Sequence, residues 1–371
     1  MLAGKWNHMN SGARNAPESA TPLVSVIIPT FNGAEFLPAA LDSILAQSYP
    51  NIEVVVIDDG STDGTPEVLE RYGDKIRYRR QKNRGVASAR NAGFRLARGD
   101  LLALMDSDDV CLPERIAAQV ACFGQMPDIV LCSSDFSAFD STRLIESSHI
   151  ASYYSAVRAT RGGLRTLYSN RETLQTKELP WRASSSGSPI VVLTGRAYEQ
   201  LAWGNFIHPP TVMVRRSAIE TVGSFDENIP IATEYDWNIR VCRTGPVAYL
   251  DAPLLMYRYS NQQLTAPRNN AQIHLDSITT LRKLCRDDPS LCRRHWFRIQ
   301  RRIGTCYLDA AYASVEKNKL AALSQLAKSL AYGVFTLLSL KIVMKSILPR
   351  AALDYYRSLS KAAETNWRGK Y

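Results

Sequence analysis

The stretch "LVSVIIPTFNGAEFLPAALDSILAQSYPNIEVVVID", residues 23–58, decides the fold of this chain. It holds two runs of aliphatic, mostly β-branched residues, 23–29 and 52–58, and between them a segment whose apolar residues have helical spacing. Continuous apolar runs of this length are typical of strands buried on both faces, and strands separated by helices are typical of a parallel sheet. The stretch therefore predicts a β-α-β unit.

Outward from that unit, strand and helix patterns keep alternating. Helical patterns cover residues 66–73, 85–99 and 113–125, and strand patterns cover residues 75–81, 101–105, 128–134 and 209–216. This order predicts an α/β fold with a Rossmann-like, mostly parallel central sheet flanked by helices. Between 141 and 207 the pattern weakens, so we expect loops and short helices there. Beyond 270 it is helical, which predicts a helical C-terminal extension.

The net charge of the chain is concentrated at one end. The 371 residues carry a formal net charge of +10, and residues 271–371 hold 18 lysines and arginines against 7 aspartates and glutamates. That segment has a net charge of +11, which leaves −1 for the rest of the chain. A basic segment favours anionic partners such as membrane surfaces, nucleic acids or anionic substrates.

Four regions follow from these patterns. Residues 1–21 contain no apolar run, so they are predicted to be a flexible leader rather than a secretory signal. Residues 22–140 and 141–265 are predicted to form the two halves of one α/β domain, and residues 266–371 a basic helical region. The content of 45% hydrophobic and 22% charged residues is ordinary for a globular protein.

Cysteine usage and hydropathy bear on location. The seven cysteines are scattered without a C-x-x-C pair, which argues against a zinc ribbon or a disulfide framework and favours a reducing cytoplasm.

No uncharged apolar run reaches the roughly 18 residues that a membrane-spanning helix needs. Six apolar positions share one helical face in the C-terminal region, and this face either packs on the core or lies at an anionic bilayer. They are Leu320, Leu323, Leu326, Leu330, Val334 and Leu337.

Polar residues follow three of the predicted strands where each strand ends. They are Thr30, which follows Pro29, then Asp58 and Asp59, and Asp106. Ligands of such sheets bind beyond the carboxyl ends of the strands, so these residues are expected to meet at one binding edge.

The sequence "DSDD", residues 106–109, crowds three carboxylates at the end of a hydrophobic run. One interpretation is helix capping, in which Asp109 caps a helix that begins near Pro113. An EF-hand is disfavoured because Cys111 stands where the calcium loop needs glycine. The third interpretation is a D-x-D site, in which Asp106 and Asp108 face Mg²⁺ or Mn²⁺ together with substrate phosphates.

Two glycine-containing loops exclude other site classes. Residues 59–70 match the spacing of a calcium loop, but a strand-like run precedes them where an EF-hand needs a helix. Asp59 is better placed to reach a nucleobase or a ribose. Residues 29–33 lack both G-x-G-x-x-G and G-x-x-x-x-G-K-[ST], which argues against a dinucleotide fold and a P-loop.

Four further positions are candidates for a structural or a functional role. Arg84 and Arg90 are either solvated helix charges or, for Arg90, a contact to a diphosphate. Glu234 is either part of a capped amphipathic helix or a carboxylate in a cleft, where a raised pKa suits a general base. His208 precedes two prolines and is expected to be structural rather than a ligand.

Together these motifs resemble family 2 glycosyltransferases, which have the GT-A fold. The matching segments are "VSVIIPTFNGAEFLPAALDSILAQSYPNIEVVVIDDGSTDGT", "NRGVASARNAGFRLARGDLLALMDSDD", "HPPTVMVRRSAIETVGSFDE" and "TEYDWNIR". The resemblance implies an inverting transfer of sugar from a nucleotide-diphosphate donor, a UDP-sugar above all, to an acceptor hydroxyl. It also implies Mn²⁺ or Mg²⁺ as cofactor and a role in polysaccharide, glycolipid or cell-envelope glycan synthesis.

The resemblance also assigns roles to residues. It places residues 22–140 on the donor side and 141–265 on the acceptor side. The implied donor-binding residues are Pro29, Thr30, Asn32, Asp59, Arg90 and Asp106. Asp108 is the implied principal metal ligand, with Asp106 contacting the ribose or the metal. The family's base is usually the Asp of a Glu-Asp pair, which here reads Thr233-Glu234, so Glu234 takes the position of the base.

Alternatives and partners complete these expectations. A nucleotidyltransferase would have a glycine-rich, basic loop after the first strand, which this sequence lacks, and a nucleotide-sugar-binding module without catalysis stays open. The expected acceptor is a glycan or a lipid-linked glycan. The basic C-terminal helices are expected to allow peripheral contact with an anionic membrane from the cytoplasmic side, and no nucleic-acid partner is expected.

Overall fold

The computed structural model describes residues 21–141, 143–174, 189–260 and 270–347. The predicted flexible leader, apart from Thr21, lies outside these residues. The described residues form one sheet of eleven strands. These are β1 (Val24–Thr30), β2 (Ile52–Asp58), β3 (Arg77–Arg80), β4 (Leu101–Leu104), β5 (Val110–Cys111), β6 (Leu131–Phe139), β7 (Leu144–Glu146), β8 (Asn170–Leu174), β9 (Ile190–Gly195), β10 (Met213–Arg215) and β11 (Val247–Arg258).

Helices cover both faces of the sheet and form the C-terminal region. They are α1 (Leu37–Leu45), α2 (Thr65–Glu70), α3 (Val86–Leu96), α4 (Arg115–Gln125), α5 (Ile150–Tyr153), α6 (Ser155–Arg158), α7 (Tyr198–Leu201), α8 (Arg216–Val222), α9 (Thr233–Thr244), α10 (Asn270–Asp287), α11 (Pro289–Arg294), α12 (Trp296–Ser314), α13 (Lys319–Ala331) and α14 (Leu337–Ile347). Short 3₁₀ turns occupy Gly73–Lys75, Gly163–Thr166 and Pro209–Thr211.

The central strand β1 explains the continuous apolar pattern of the first strand. All its residues are buried, and they alternate between two hydrophobic clusters. Ile27 belongs to one cluster, and Val26 and Ile28 belong to the other on the opposite face. Since both faces of the sheet are covered, the strand carries apolar residues on both of its faces rather than on one.

Strand order and register bring the predicted binding edge together. The sheet runs β3-β2-β1-β4-β10-β6-β11-β9-β8, and β1 to β4 are parallel to one another. Thr30 of β1 is level with Asp58 of β2, and Ile27 is level with Leu104 of β4. The ends of three parallel strands therefore lie side by side, and the prediction of a mostly parallel, helix-flanked sheet is confirmed.

The described residues between 141 and 207, namely 141, 143–174 and 189–207, contain more regular structure than their sequence pattern indicates. Besides short helices it contributes three strands, β7, β8 and β9, and β8 and β9 form one edge of the sheet. The two predicted halves also interleave, because β6 from the first half lies between β10 and β11 from the second. Their division into donor and acceptor sides stays a prediction.

The C-terminal helices correct two expectations. The six apolar positions between 320 and 337 do not share one helix face, because α13 ends at Ala331 and α14 begins at Leu337. Leu326 and Val334 are buried, whereas Leu320 and Leu337 are exposed. The expectation that this face packs on the core is therefore wrong for most of its members.

A disulfide joins Cys285 of α10 to Cys292 of α11, contrary to the expectation from the scattered cysteines. The other five cysteines are free and buried. Across the described part of the chain, no helix has both the length and the apolar character needed to cross a membrane.

Candidate active site

The loop after β1 is fastened to the loop after β2. Asn32 adopts a positive φ of 51°, and its side-chain oxygen accepts a hydrogen bond from the backbone N–H of Thr62 at 2.8 Å. In return, the Asn32 backbone N–H donates to Ser61 Oγ at 2.9 Å. The Gly33 N–H donates to Thr65 Oγ1 at 3.0 Å. These bonds fix an exposed Asn32 at the edge where the nucleotide is expected.

Thr30 provides an unpaired polar group at the same edge. Its hydroxyl is buried and has no hydrogen-bond partner among the described residues. A Cβ atom placed on Gly33 would lie 2.5 Å from this hydroxyl and 3.5 Å from Ser107 Oγ, so glycine keeps the space between the two loops open. A buried hydroxyl without a partner is costly, and a ligand that bonds to it removes that cost. Pro29 lies one residue earlier, buried inside β1.

Asp59 organises the loop between β3 and α3. Its carboxylate accepts hydrogen bonds from Gln81 Nε2 at 2.8 Å and from the backbone N–H groups of Arg84 at 3.0 Å and Gly85 at 2.7 Å. Asp59 is buried, so these bonds compensate its charge. The structure thus shows Asp59 as the anchor of residues 81–85, and contact to a nucleobase stays a prediction.

Asp109 turns away from this edge and into the protein. It is fully buried, and its Oδ1 accepts a hydrogen bond from the Arg258 N–H at 2.9 Å, while Arg258 Nε donates to the Asp108 carbonyl at 2.8 Å. Asp109 therefore ties the 106–109 turn to β11. The capping interpretation is wrong, because α4 begins only at Arg115 and Asp109 faces another strand.

The Arg258 guanidinium is itself held between two aromatic rings. It lies 4.5 Å from the ring centroid of Phe36 and 4.5 Å from that of Phe139. Cation–π contacts of this kind favour one side-chain position. The "DSDD" turn is therefore braced from the far end of β11.

Asp106 and Asp108 are the two carboxylates of the turn that stay partly exposed. Burial raises the pKa of the neighbouring Asp109 well above its usual range, and the negative charges of Asp108 and Asp106 raise it further. Within the described ranges, no group of three or more His, Cys, Asp or Glu side chains is arranged to hold a metal by itself. Two exposed carboxylates fit a hard divalent cation whose remaining ligands are phosphate oxygens and water.

Five residues that were predicted to bind the donor or the metal lie at this edge, and we call them the donor rim: Thr30, Asn32, Asp59, Asp106 and Asp108.

Asp63, in the loop whose spacing matches a calcium site, has a structural role instead. Its carboxylate accepts hydrogen bonds from the backbone N–H groups of Ala34 and Thr65, each at 3.1 Å, and a strand precedes the loop. Asp63 therefore stabilises the turn geometry of the 59–70 loop.

Arg90 joins the donor rim to the candidate base. Its side chain is 5% exposed on α3, and one guanidinium nitrogen lies 2.9 Å from Asp106 Oδ1. The other terminal nitrogen lies 3.9 Å from Glu234 Oε2. The guanidinium also lies 5.5 Å from the Phe225 ring centroid. Arg90 is therefore not a solvated helix charge. Arg84 is solvated, with 65% of its side chain exposed, and it pairs with Glu227, but it lies in the loop before α3 rather than on a helix.

Glu234 occupies the first turn of α9 and has the electrostatics of a proton acceptor. Burial raises its pKa to about 6, although Arg90 lowers it, and the charges of Asp106 and Asp276 raise it further. Its side chain keeps 21% exposure, so an incoming hydroxyl can reach it. A carboxylate with a pKa of about 6 is mostly ionised at physiological pH, so it is in the form that accepts a proton, and it is a stronger base than an ordinary glutamate.

The neighbouring acidic residue has a different role. Asp236 is buried and forms ion pairs with Arg240 at 2.9 Å and Lys283 at 3.0 Å. Both charges compensate it, so it stabilises the helix and is not available as a base. Glu234 is the acidic residue of this helix that faces the donor rim through Arg90.

The N-terminus of α9 is held by a residue from another helix. Asp276 of α10 is buried, and its Oδ2 accepts hydrogen bonds from the N–H groups of Ile231 at 2.8 Å and Ala232 at 2.9 Å. It thereby pairs N–H groups at the start of α9, as a capping side chain does. Gln272 Nε2 donates to the other Asp276 oxygen at 2.7 Å.

A second set of bonds joins α3 to the loop before α9. Asn91, one residue after Arg90, donates from Nδ2 to the Phe225 carbonyl at 3.0 Å and accepts from the Phe225 N–H at 2.8 Å. Phe225 stacks on Trp237 with ring centroids 4.7 Å apart. These contacts therefore fix the position of α3, which carries Arg90, relative to α9, which carries Glu234.

His208 lies in an aromatic cluster beside the site. Its ring stacks on Phe136 with centroids 3.9 Å apart, and its Nδ1 is 3.1 Å from the Tyr154 hydroxyl. Burial lowers the pKa of His208 well below its usual range. A neutral, stacked histidine agrees with the structural interpretation.

The sequence matches the profile of glycosyl transferase family 2 over residues 25–222, more than half of the chain. The chain belongs to this family. The prediction that the chain is a member of the family 2 glycosyltransferases is thereby confirmed.

Relatives in this family carry similar names. An uncharacterized glycosyltransferase of Rickettsia felis is 29% identical over 244 residues, which cover 65% of this chain and 35% of the relative. Another, of Rickettsia prowazekii, is 28% identical over 273 residues, 72% of this chain and 74% of the relative. The chain thus spans about a third of the first relative's length.

A solved structure shows the same fold. The mannosyltransferase PcManGT from Pyrobaculum calidifontis, in complex with GDP-Man and Mn²⁺, has a TM-score of 0.51 and 19% sequence identity. The match covers 89% of this chain and 85% of that chain. The predicted GT-A fold is therefore confirmed.

Three residues of the site went unpredicted from the sequence: Asn91, Arg258 and Asp276. Asn91 is adjacent to Arg90 on α3, so its position beside the site follows once Arg90 is placed there. Arg258 and Asp276 act on segments far away in the chain, and no local motif marks either of them.

Proposed function

We propose that this protein is an inverting, metal-dependent glycosyltransferase that moves a sugar from a nucleotide-diphosphate donor to an acceptor hydroxyl. The observation that carries the proposal is the Arg90 bridge, which holds Asp106 at 2.9 Å and Glu234 at 3.9 Å. The buried Arg90 side chain thus contacts both Asp106, which would lie on the side of the leaving diphosphate, and Glu234, which would take the proton of the acceptor hydroxyl.

On the donor side, Asp106 and Asp108 would hold Mn²⁺ or Mg²⁺, with Pro29, Thr30, Asn32 and Asp59 around the nucleotide. The cation would supply Lewis-acid stabilisation of the charge that grows on the diphosphate. The unpaired Thr30 hydroxyl and the space over Gly33 support a ligand at this edge.

On the acceptor side, Glu234 takes the proton from the attacking hydroxyl. The new bond forms between that oxygen and the anomeric carbon as the bond to the diphosphate breaks, and the nucleotide diphosphate leaves with the electron pair. Attack from the face opposite the leaving group inverts the anomeric centre. The pKa of about 6 for Glu234 supports this role.

For the acceptor we propose a glycan or a lipid-linked glycan of the cell envelope, reached from the cytoplasmic side. The basic C-terminal segment supports this placement. A UDP-sugar is the first donor to test. GDP-mannose is the second, since the Pyrobaculum mannosyltransferase with the same fold was solved with it.

A donor-consumption screen tests the proposal. The intact chain is incubated with UDP- and GDP-sugars, with Mn²⁺, with Mg²⁺ and with a chelator, and released nucleotide diphosphate is measured. We expect metal-dependent release from at least one donor and none with Asp108→Ala. Binding of UDP or GDP without consumption of any nucleotide sugar, with glycan acceptors present, would instead support a binding module.

A further inference from the structure

Helix α13 exposes apolar side chains where a surface helix ordinarily exposes polar ones. Its solvent-facing apolar residues are Leu320, Leu323, Ala327, Leu330 and Ala331. Leu320 is 82% exposed. The buried side of the helix includes Ser329, so the usual distribution is partly inverted.

Helix α14 repeats this inversion. Its exposed apolar residues are Leu337, Leu340, Val343, Met344 and Ile347. They follow helical spacing on one side of the helix, whereas Ser339 and Ile342 are buried on the other. Phe335, in the connection between the two helices, is 66% exposed. We call these exposed apolar residues of α13 and α14, together with Phe335, the outer face.

The opposite sides of both helices are anchored. Leu326 of α13 and Ile342 of α14 belong to one buried cluster with Leu308 and Val315, which lie on or just after α12. The helices are therefore already docked on the rest of the protein through these opposite sides. In the described residues, nothing covers the outer face, and an exposed apolar patch of this extent is typical of an interaction surface.

The charges around the outer face indicate which kind of partner it binds. Residues 319–347 contain four lysines and no acidic residue. The lysines are Lys319, Lys328, Lys341 and Lys345. Lys345 pairs with Glu316 at 2.9 Å. Apolar side chains flanked by lysines fit an anionic lipid surface, where the lysines meet phosphate headgroups and the leucines enter the acyl boundary.

Two other occupants fit less well. A second copy of the chain would place lysines of one outer face against lysines of the other, since a two-fold interface brings the same patch together. Residues 348–371 lie outside the described part of the chain, and their sequence holds five basic and two acidic residues. Neither occupant complements the positive charge.

We propose that the outer face docks this protein on an anionic membrane surface, with α13 and α14 lying in the interface rather than crossing the bilayer. The inference goes beyond the transfer reaction, because these helices pack on α12 and contribute no residue to the donor rim. It identifies the surface by which an enzyme acting on a lipid-linked acceptor would reach its substrate.

Vesicle sedimentation of the intact chain tests the proposal. Vesicles of phosphatidylcholine alone are compared with an equal mixture of phosphatidylcholine and phosphatidylglycerol. We expect binding to the anionic vesicles, reduced about tenfold or more by the double substitution Leu340→Ser and Met344→Ser. The triple substitution of Lys319, Lys328 and Lys341 by Gln should lower binding and flatten its dependence on salt.

The matched control is Leu144→Ser with Ile145→Ser, which removes two exposed apolar residues of β7 and should leave binding unchanged. Equal melting temperatures of all variants exclude unfolding as the cause. The proposal is overturned if the intact chain ignores anionic vesicles, if the outer-face variant binds like the control, or if light scattering shows a dimer that only this variant splits. Donor consumption without vesicles is measured in parallel, so a failure of docking and a failure of catalysis are distinguished.

Discussion

The surroundings of the donor rim and the outer face show opposite exceptions to the usual rule that charged side chains are exposed and apolar ones buried. Beside the donor rim, Arg90 is 5% exposed although it is charged, and on the outer face Leu337 is 78% exposed although it is apolar. Burying a guanidinium costs desolvation, which the carboxylates of Asp106 and Glu234 offset. Exposing leucine forgoes hydrophobic stabilisation, and nothing in the described residues offsets that loss.

This difference separates two kinds of functional surface. The charges near the rim have partners at fixed distances, so a substitution there changes geometry and pKa. The outer face has no partner within the described chain, so a substitution there should leave folding and catalysis intact. Stability, activity and pH dependence can each distinguish the two surfaces.

The largest effect is expected for Glu234→Gln. The amide keeps the shape of the side chain but cannot accept the proton, so the transfer rate should fall by about 10²–10⁴-fold. Donor affinity, measured by calorimetry, should stay unchanged, because the donor rim is intact. The exposed Glu220→Gln is the matched control and should retain full activity. A Glu234→Gln enzyme with normal transfer would remove Glu234 from the mechanism.

A pair of leucine substitutions should distinguish the two sides of the C-terminal helices. Leu326→Ala empties a buried position and should lower the free energy of unfolding by about 2–5 kcal/mol. Leu337→Ala, at an exposed position, should change it by less than about 0.5 kcal/mol. Urea denaturation of both variants checks this. Equal losses would mean that Leu337 is covered in the folded protein.

The substitution Arg90→Lys tests the bridge. Lysine keeps the charge but cannot direct two nitrogens at two carboxylates, so one of the pairs with Asp106 and Glu234 should be lost. Misplacement of the reacting groups should lower the transfer rate by roughly 100-fold or less. Arg84→Lys, at an exposed position near the same helix, is the control. Unchanged rates in both variants would show that Arg90 is not needed for positioning.

The smallest effect concerns pH. Glu234 must be ionised to accept a proton, so activity should fall as the pH drops below its pKa of about 6. The charge of Asp276 raises that pKa, hence Asp276→Asn should lower it and move the acid limb of the pH–rate profile to lower pH. The amide oxygen still accepts the bonds from the start of α9. The exposed Asp74→Asn should leave the profile unchanged, and an identical profile for Asp276→Asn would contradict the assignment of Glu234.

Much of the fold and of the donor rim could be predicted from the sequence, because both depend on local patterns. Strands buried on both faces carry runs of consecutive apolar residues, so β1 and β2 were recognisable. Polar residues that follow such strands, from Thr30 to Asp106, have to lie at one edge of a parallel sheet.

Contacts between distant segments could not be predicted in this way. Nothing around Asp276 indicates that it caps α9, and nothing around Arg258 indicates that it braces the "DSDD" turn. The six apolar positions between Leu320 and Leu337 were wrongly assigned to one helix face for a local reason. Gly333 has a φ of 72°, a left-handed conformation that ends α13, so Val334 and Leu337 do not continue its face.

Calorimetry of nucleotide binding tests the central claim most directly, namely that the donor rim holds a diphosphate together with a divalent cation. UDP and GDP are titrated into the intact chain with Mn²⁺ and with a chelator, and the titrations are repeated with Asp108→Ala. We predict that Mn²⁺ strengthens the binding of one nucleotide and that Asp108→Ala abolishes this gain. Equal affinity with and without the metal, or a gain that survives Asp108→Ala, would contradict the account.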